Sequence, residues 1–560
     1  MKNKIKQLYT PEGERVLEGE KPYREYPRPQ LRRQSFVLLD GEWKMDFGKE
    51  SYKIQVPFCP ESALSGIGRI FDRAPQYTYR KSFSLPENFN RGRVILHFGA
   101  VDQICECCVN GTHVGGNIGG YNSFEFDITD ALKEGENTVS LYVCDDLDNA
   151  VLPYGKQTNK RGGMWYTPVS GIWQSVWLES VPENYVRNIK IEATLDTARI
   201  KFEGCDEGSV TYVDGDTEKT VEFAGGVVII KPENVKTWTP DTPNLYEIKV
   251  KCGEDEFESY FALREITTRT VDGIPRICLN GEPVFLNGLL DQGYFPDGIF
   301  TAASDECYKN DILTAKSLGF NTLRKHIKVE PEAFYYYCDK LGMIVVQDMV
   351  NNGKYSFLRD TAFPTAGVKA LNDRRMHRSK KSREAFIDGM IKTVNQLYNH
   401  PCICMWTIFN EGWGQFTADE MYHALKKMDS SRIIDTASGW FRPKDSDVVS
   451  EHVYFKKIRI KSNNSRPVFL SEFGGYSYKV DGHIFNLGNN YGYGSAKSAE
   501  ELEKMLRELY CEQVIPNIKN GLSGAILTQI TDVEDETNGL ITYDRRVVKI
   551  KEPLPEITIK

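Results

Sequence analysis

The chain has 560 residues, 40 % hydrophobic, 26 % charged and 12 % aromatic, a composition that fits roughly three to five folded domains and excludes a disordered or membrane-embedded chain. Seventy basic against 78 acidic residues leave a formal charge of −8, and no lysine- or arginine-rich block offers a nucleic acid an electrostatic footprint. The longest apolar stretch, Pro401 to Phe409, is far too short to span a bilayer, so no membrane partner is expected.

The opening MKNKIKQLYTPEGERV carries positive charge with no apolar run behind it, so no secretory signal is read there and a cytoplasmic location is expected. Residues 30 to 180 then alternate with a period near two, as in RVILHFGAVDQICECCVNGTHVGG and YNSFEFDITDALKEGENTVSLYVC, and Asn110-Gly111 between two such runs signals a tight hairpin. This part reads as an antiparallel β-sandwich. Short strands without helical periodicity follow in KIEATLDTARIKFEG, VVIIKPENV and YEIKVKCG, which suits an immunoglobulin-sized sandwich ending near FALREITTR.

From about residue 275 strand and helix alternate, and short loops between them demand a parallel sheet. Strand candidates fall at 284–290, 320–325, 343–348, 402–409, 433–437, 448–453, 467–471 and 524–530. Eight units favour a (β/α)8 TIM barrel, with a doubly wound open sheet as the second choice. The expected fold is therefore multidomain: a jelly-roll sandwich over 1–184, an immunoglobulin-like sandwich over 185–270 and a barrel over 271–560.

Thirteen cysteines include Cys105/Cys107 and Cys402/Cys404, each pair one residue apart and so on one face of a strand; reduced thiols packed in cores are expected. There is no Walker A loop, no GxGxxG after a strand and no HExxH, and Gly521-Leu522-Ser523-Gly524-Ala525 fails as a serine-hydrolase elbow at its last position. That leaves carboxylates as the chemistry. Glu411 ends CICMWTIFNEGWG and Glu472 ends the strand of RPVFLSEFGG, each a charged group directly after an apolar strand, where a barrel keeps its active residues. Glycoside hydrolysis needs such a pair, one carboxyl protonated for the leaving oxygen and one ionised for the anomeric carbon.

Asn410-Glu411 after the fourth strand and Ser471-Glu472-Phe473-Gly474 after the seventh resemble glycoside hydrolase family 2, the β-galactosidase and β-glucuronidase family. LDGEWKMDFG, GMWYTPVSGIWQSVWLES, WTPDTPNLYEIKV, YFALREI and FNTLRKHIKVEPEAFYYYCDKLGMIVVQDM resemble its sugar-binding jelly roll, its middle domain and its second and third barrel strands, in that order. The resemblance implies Glu411 as general acid/base, Glu472 as nucleophile, Asn410 as donor to the sugar 2-hydroxyl, Arg324 as the group that holds the nucleophile ionised and Tyr454 as its hydrogen-bond partner. Asp291, Asp348, His326, His452, Trp413, Trp440 and Gln529 fall at expected strand ends and are candidates to meet the sugar. For His326 the family's histidine stands one residue later, where this chain has Ile327.

The resemblance further implies an exo-acting, retaining β-glycosidase cutting terminal β-D-galactosides, with β-glucuronidase, β-mannosidase and α-L-arabinosidase as alternatives and a non-catalytic carbohydrate-binding protein as a remote one. The expected partner is a carbohydrate. No cofactor is required and no metal site is assigned, while an activating cation and a homo-oligomer stay open. Thr528 stands where the family has a tryptophan. Relatives acting on glucuronides carry Asn-x-Lys just before Gly-x-x-Thr-x-Asp-Arg; aligning the glycines places Glu536 and Asn538 there. A carboxylate facing a uronate repels it, which favours a neutral sugar unless Lys328, Lys354 or Lys497 supplies a cation.

Overall fold

The computed structural model describes residues 5–559 except 24, 72–75, 148, 364–372, 455 and 462–464. The first sandwich packs a six-stranded antiparallel sheet, in the order 50–56, 41–47, 76–84, 136–144, 104–109, 112–118, on a four-stranded sheet in the order 36–38, 176–181, 93–98, 124–127. Alternation puts Trp43, Met45, Tyr79, Leu96, Phe98, Cys105, Cys107 and Leu141 in its core. The expected hairpin forms with Val109 opposite Thr112. Asn110 and Gly111 both take positive φ, 51° and 84°, the backbone a two-residue hairpin turn requires.

The second sandwich packs a three-stranded sheet (188–193, 198–203, 227–230) against a four-stranded one (217–223, 208–214, 246–252, 255–261), around Ile191, Ile200, Tyr212, Ile248 and Phe261. Here the expectation of reduced cysteines is corrected: Cys205 and Cys252 are joined as a disulfide, with Cα atoms 6.3 Å apart. The two lie 47 residues apart in sequence; the antiparallel pairing of strands 208–214 and 246–252, with Ser209 opposite Lys251, brings Cys252 beside the turn that holds Cys205, and adjacency in sequence could not reveal it.

Eight parallel strands follow: β1 (Leu286–Asp291), β2 (Thr322–Lys325), β3 (Ile344–Asp348), β4 (Ile403–Asn410), β5 (Ile433–Ser438), β6 (Val449–Val453), β7 (Val468–Gly474) and β8 (Leu522–Thr528). Their ladder runs β5-β4-β3-β2-β1-β8-β7-β6. All eight residues of β4 are buried, as befits a strand covered on both faces. Where β5 meets β6, the last junction of the cylinder, side chains do the joining: Ser450 Oγ donates to Asp435 Oδ2 at 2.8 Å, and Ser438 Oγ lies 2.8 Å from His452 Nε2.

Helices α1 (Asp305–Ser317) and α2 (Glu332–Leu341) carry β1 to β2 and β2 to β3. Cys307, Tyr308, Ile312 and Ala315 of α1 are buried, as are Phe334, Tyr337 and Cys338 of α2. Helix α2 stops at Gly342, whose φ of 73° is left-handed; a Cβ there would stand 2.3 Å from the carbonyl oxygen of Pro240 in the second sandwich. Among the described residues no helix is long and apolar enough to cross a membrane.

The domains are not strung loosely. Backbone N–H groups of Tyr154 and Gly155, in the first sandwich, donate to the Asn351 carbonyl just past β3 at 3.1 and 3.2 Å. The N–H of Thr167 donates to Glu534 Oε1 and the Tyr166 hydroxyl to Glu536 Oε1, both at 2.8 Å. This loop of the sandwich thus forms a wall over the C-terminal mouth of the barrel.

Candidate active site

The site begins with Arg324 at the end of β2. It is fully buried, so each of its five N–H groups needs an acceptor. Nε and Nη2 donate to the two oxygens of Asp348 at 3.0 and 2.9 Å, Nη1 to Ser471 O at 3.0 Å and Glu472 Oε1 at 3.1 Å, and Nη2 also to Asn410 Oδ1 at 3.0 Å. One guanidinium therefore ties β2, β3, β4 and β7 together. Because Oδ1 of Asn410 accepts from Arg324, the amide's NH2 is the end left toward the pocket.

Glu472 is 5 % exposed and accepts from the Tyr454 hydroxyl at 2.5 Å. Burial alone would raise its carboxyl, but His452, Arg324 and His326 beside it and the Tyr454 hydrogen bond outweigh it and hold it at about 2. Tyr454 is itself braced: its hydroxyl lies 3.0 Å from Thr528 Oγ1, and its ring stacks on Tyr493 with centroids 3.7 Å apart. Thr528, where an indole was expected by resemblance, thus meets the Tyr454 hydroxyl.

Glu411 leaves β4 in a left-handed conformation, φ 53°, a costly backbone for a residue with a Cβ and one that concentrates at functional sites. Its N–H bonds back to Ser438 O at 2.9 Å, and its Oε1 lies 2.8 Å from Nδ1 of His452. The same Nδ1 is 3.5 Å from Glu472 Oε2. Carboxylate oxygens of Glu411 and Glu472 and a ring nitrogen of His452 all lie within 4.8 Å of one another. Among the described residues this is the one His/Cys/Asp/Glu trio close enough to share a cation.

Other candidates divide. His326 Nδ1 is 2.7 Å from Asp348 Oδ2, and burial, followed by the charges of Lys156 and Arg324, holds the ring below its usual value against the pull of Asp348. Asp348 is drawn into the cluster, where its oxygens accept from Arg324 at 3.0 and 2.9 Å and Oδ2 faces His326, so it supports both side chains. Trp413 donates from its indole to Gly353 O at 2.9 Å and packs edge-on against Trp165 and Tyr154, and Trp440 stands edge-on to His452. Gln529 donates to Glu536 Oε2 at 3.1 Å and Asn538 Oδ1 at 2.9 Å, so it braces the pocket wall.

Asp291 is the clear correction. Its register partner on β2 is Lys325, whose ammonium it accepts from at 2.7 Å; that ammonium lies 4.1 Å from the Phe334 ring of α2. Strand alternation sends Arg324 into the barrel and Lys325 out to the helices, and Asp291 goes with Lys325.

Sequence reasoning missed the sandwich's contribution. Lys156 is 9 % exposed, its backbone carbonyl accepts from Tyr166 N at 3.0 Å, and its ammonium lies 5.8 Å from the Trp165 ring. Among the described residues no hydrogen-bond or ion-pair acceptor is within reach of that ammonium. Its charge opposes burial at Glu536, which burial, with Glu472 nearby, still pushes up to about 7. Of the cations weighed from sequence, Lys328 is spent on Gly293 O, Phe300 O and Glu330, while Lys354 and Lys497 are exposed. In the sequence this wall is marked only by GMWYTP, part of the stretch that resembles the family's sugar-binding jelly roll.

Three stretches match glycosyl hydrolases family 2: its sugar binding domain at 26–182, the family's general match at 180–264 and its TIM barrel domain at 275–538. A beta-galactosidase from Thermoanaerobacter pseudethanolicus is 25 % identical over 478 residues, 79 % of this chain and 59 % of that protein; the chain spans under two thirds of the length of the curated relatives it matches first. Similar solved structures include a Ruminococcus gnavus beta-glucuronidase (TM-score 0.74, 17 % identity, 94 % and 97 % of the two chains) and an Eisenbergiella tayi beta-galacturonidase bound to galacturonate (0.66, 19 %, 92 % and 95 %). These likenesses share the fold. With sandwich, middle domain and barrel matched in order along its length, the chain belongs to glycosyl hydrolase family 2.

Proposed function

We propose that the protein is an exo-acting, retaining β-glycosidase that works through a covalent glycosyl-enzyme, with terminal β-D-galactosides as its substrates. The observation that carries this reading is the approach of a carboxylate oxygen of Glu411 and one of Glu472 to within 4.8 Å. A two-step mechanism places its carboxyls about 5 to 5.5 Å apart, whereas a one-step inversion needs about 6.5 to 9.5 Å to admit a water between.

In the first step Glu472, held ionised beside the Arg324 guanidinium, attacks the anomeric carbon while Glu411 gives its proton to the departing oxygen. In the second, Glu411 takes a proton from water, whose oxygen attacks the same carbon and releases Glu472. The amide NH2 of Asn410 is free to donate to the 2-hydroxyl, a bond that strengthens as charge builds on the ring. Arg324 and Tyr454 hold the nucleophile's oxygens in place at no cost of reorganisation during the reaction.

The neutral sugar is supported by Glu536, a buried carboxylate in the wall that would repel a uronate. A second reading, a uronide, is favoured by one observation, the unpaired ammonium of Lys156 close by. The test is a panel of nitrophenyl β-galactoside, β-glucuronide, β-galacturonide, β-glucoside, β-mannoside and α-arabinoside, with the released sugar's anomer followed by NMR. One dominant β-galactoside activity with retained configuration is expected; an inverted first product would sink the mechanism, and no turnover at all would return the protein to the carbohydrate-binding class.

A further inference from the structure

A serine hydroxyl carries one proton and can donate once. Ser450 donates to the carboxylate of Asp435, so toward Ser471 Oγ, at 2.6 Å, it can only accept. Ser471 has then committed its proton to Ser450; the other acceptor in its reach, the Glu451 carbonyl, is farther off at 3.3 Å. Ser438 donates to Ser471 Oγ at 3.0 Å and is left to accept from the Nε2 of His452, 2.8 Å away. Nε2 therefore holds the hydrogen. In a neutral ring Nδ1 is then an acceptor, and it faces Glu411 Oε1 at 2.8 Å. Glu472 Oε2, 3.5 Å from the same Nδ1, is a carboxylate oxygen that already accepts from Tyr454; two acceptors at 2.8 Å repel unless a proton lies between them, so with the ring neutral it is Glu411 that brings it.

We propose that Asp435, Ser450, Ser471 and Ser438 form a directional hydrogen-bond relay that fixes the tautomer of His452 and thereby keeps the proton on Glu411. These are positioning residues. The chain crosses the β5–β6 junction, and its five side chains, His452 included, are each no more than 5 % exposed, so water does not compete for the bonds. Asp435 faces Ser450, with the charges of Arg324 and Asp348 and the ring of His452 around it; burial raises it to about 6 against Ser450 and Arg324, which leaves it ionised at neutral pH. Its second oxygen is buried with no partner.

That last fact supplies the discriminating variant. In Asp435→Asn the amide's NH2 would be unpaired on the side of the empty oxygen and is better placed toward Ser450. It would then donate to Ser450 and reverse every bond of the chain, delivering a hydrogen to Nδ1 and leaving Glu411 an unprotonated acceptor.

The inference rests on Glu411 being the acid, so the test has two arms. In the full chain, 15N-edited imidazole spectra, with His452 assigned by its loss in His452→Phe, should show the Nε2–H tautomer at neutral pH and Nδ1–H in Asp435→Asn. An Nδ1–H form in the native protein, or an unchanged tautomer in the variant, overturns the relay whatever the enzyme's activity. In the second arm, kcat on an alkyl glycoside of the preferred sugar should fall at least about tenfold in Asp435→Asn and Ser438→Ala, with KM held. On the dinitrophenyl glycoside, whose leaving group needs no proton, the loss should stay within about threefold, and Ser438→Thr should keep both activities. Equal losses on the two substrates with the tautomers as expected would reject Glu411 as the acid and with it the coupling.

Discussion

Nη1 of Arg324 stands 3.1 Å from Oε1 of Glu472, with neither side chain more than 7 % exposed. At that depth the guanidinium opposes the burial that would otherwise protonate the carboxyl. Removing it in Arg324→Gln should raise the carboxyl from about 2, and since the nucleophile must be ionised, the acid limb of kcat/KM should move to higher pH. The overall loss should be about a hundredfold or more. An acid limb that stays put, read from a pH profile, would contradict the assignment. The same pairing bears on stability: a carboxyl held below its ordinary 4.5 stabilises the fold above that pH, and the contribution is lost as pH falls through about 2.

Glu472→Gln should abolish turnover on every substrate, because no other group is placed to attack. Glu411→Gln should still form the glycosyl-enzyme from dinitrophenyl glycosides, whose leaving group needs little proton assistance. Azide should restore turnover of Glu411→Ala and give a β-glycosyl azide, detected by NMR. An α-azide, or rescue of Glu472→Ala alone, would exchange the two roles.

Glu536 and Lys156 make the sugar preference measurable as an electrostatic quantity. The nitrophenyl β-galactoside should exceed the β-glucuronide by at least about tenfold in kcat/KM, or roughly 1.4 kcal/mol. The carboxyl of Glu536 titrates near 7, and only its charged form repels a uronate, so the ratio should narrow as pH falls below that value. Should the glucuronide win at pH 8, Lys156 dominates the wall and the uronide reading replaces the galactoside.

Gly342 tests packing alone. Alanine there meets both a left-handed φ of 73° and the Pro240 carbonyl. Gly342→Ala should cost about 1 to 3 kcal/mol of stability, seen as a lower Tm, with kcat unchanged because the residue precedes β3 at the far end of the barrel from the mouth.

The parts of the fold read from sequence are those where one periodicity governs a whole segment. The eight parallel strands announce themselves as apolar runs such as that of β4, and Glu411 and Glu472 stand out because charge follows such a run directly. Asp291 satisfied the same rule and yet points outward, since a strand-end position does not fix which way the last side chain alternates. Ser438, Ser450, Ser471 and Asp435 have no sequence mark at all; they matter through contacts across three strands. Lys156 was hidden for a further reason, lying in a different domain from the carboxylates it approaches.

That last placement divides the labour of the enzyme between folding units. The barrel strands hold Glu411 and Glu472, while the loop bearing Lys156, Trp165 and Tyr166 belongs to the first sandwich and is pinned at the mouth by the backbone N–H groups of Tyr154 and Gly155 on the Asn351 carbonyl and of Thr167 on the Glu534 carboxylate. On the proposed reading, a barrel produced by itself would keep Glu411 and Glu472 but would lack one side of the cup that takes the sugar. On that reading, changes in that loop should redirect which sugar is taken without disturbing a single strand that holds the two carboxylates.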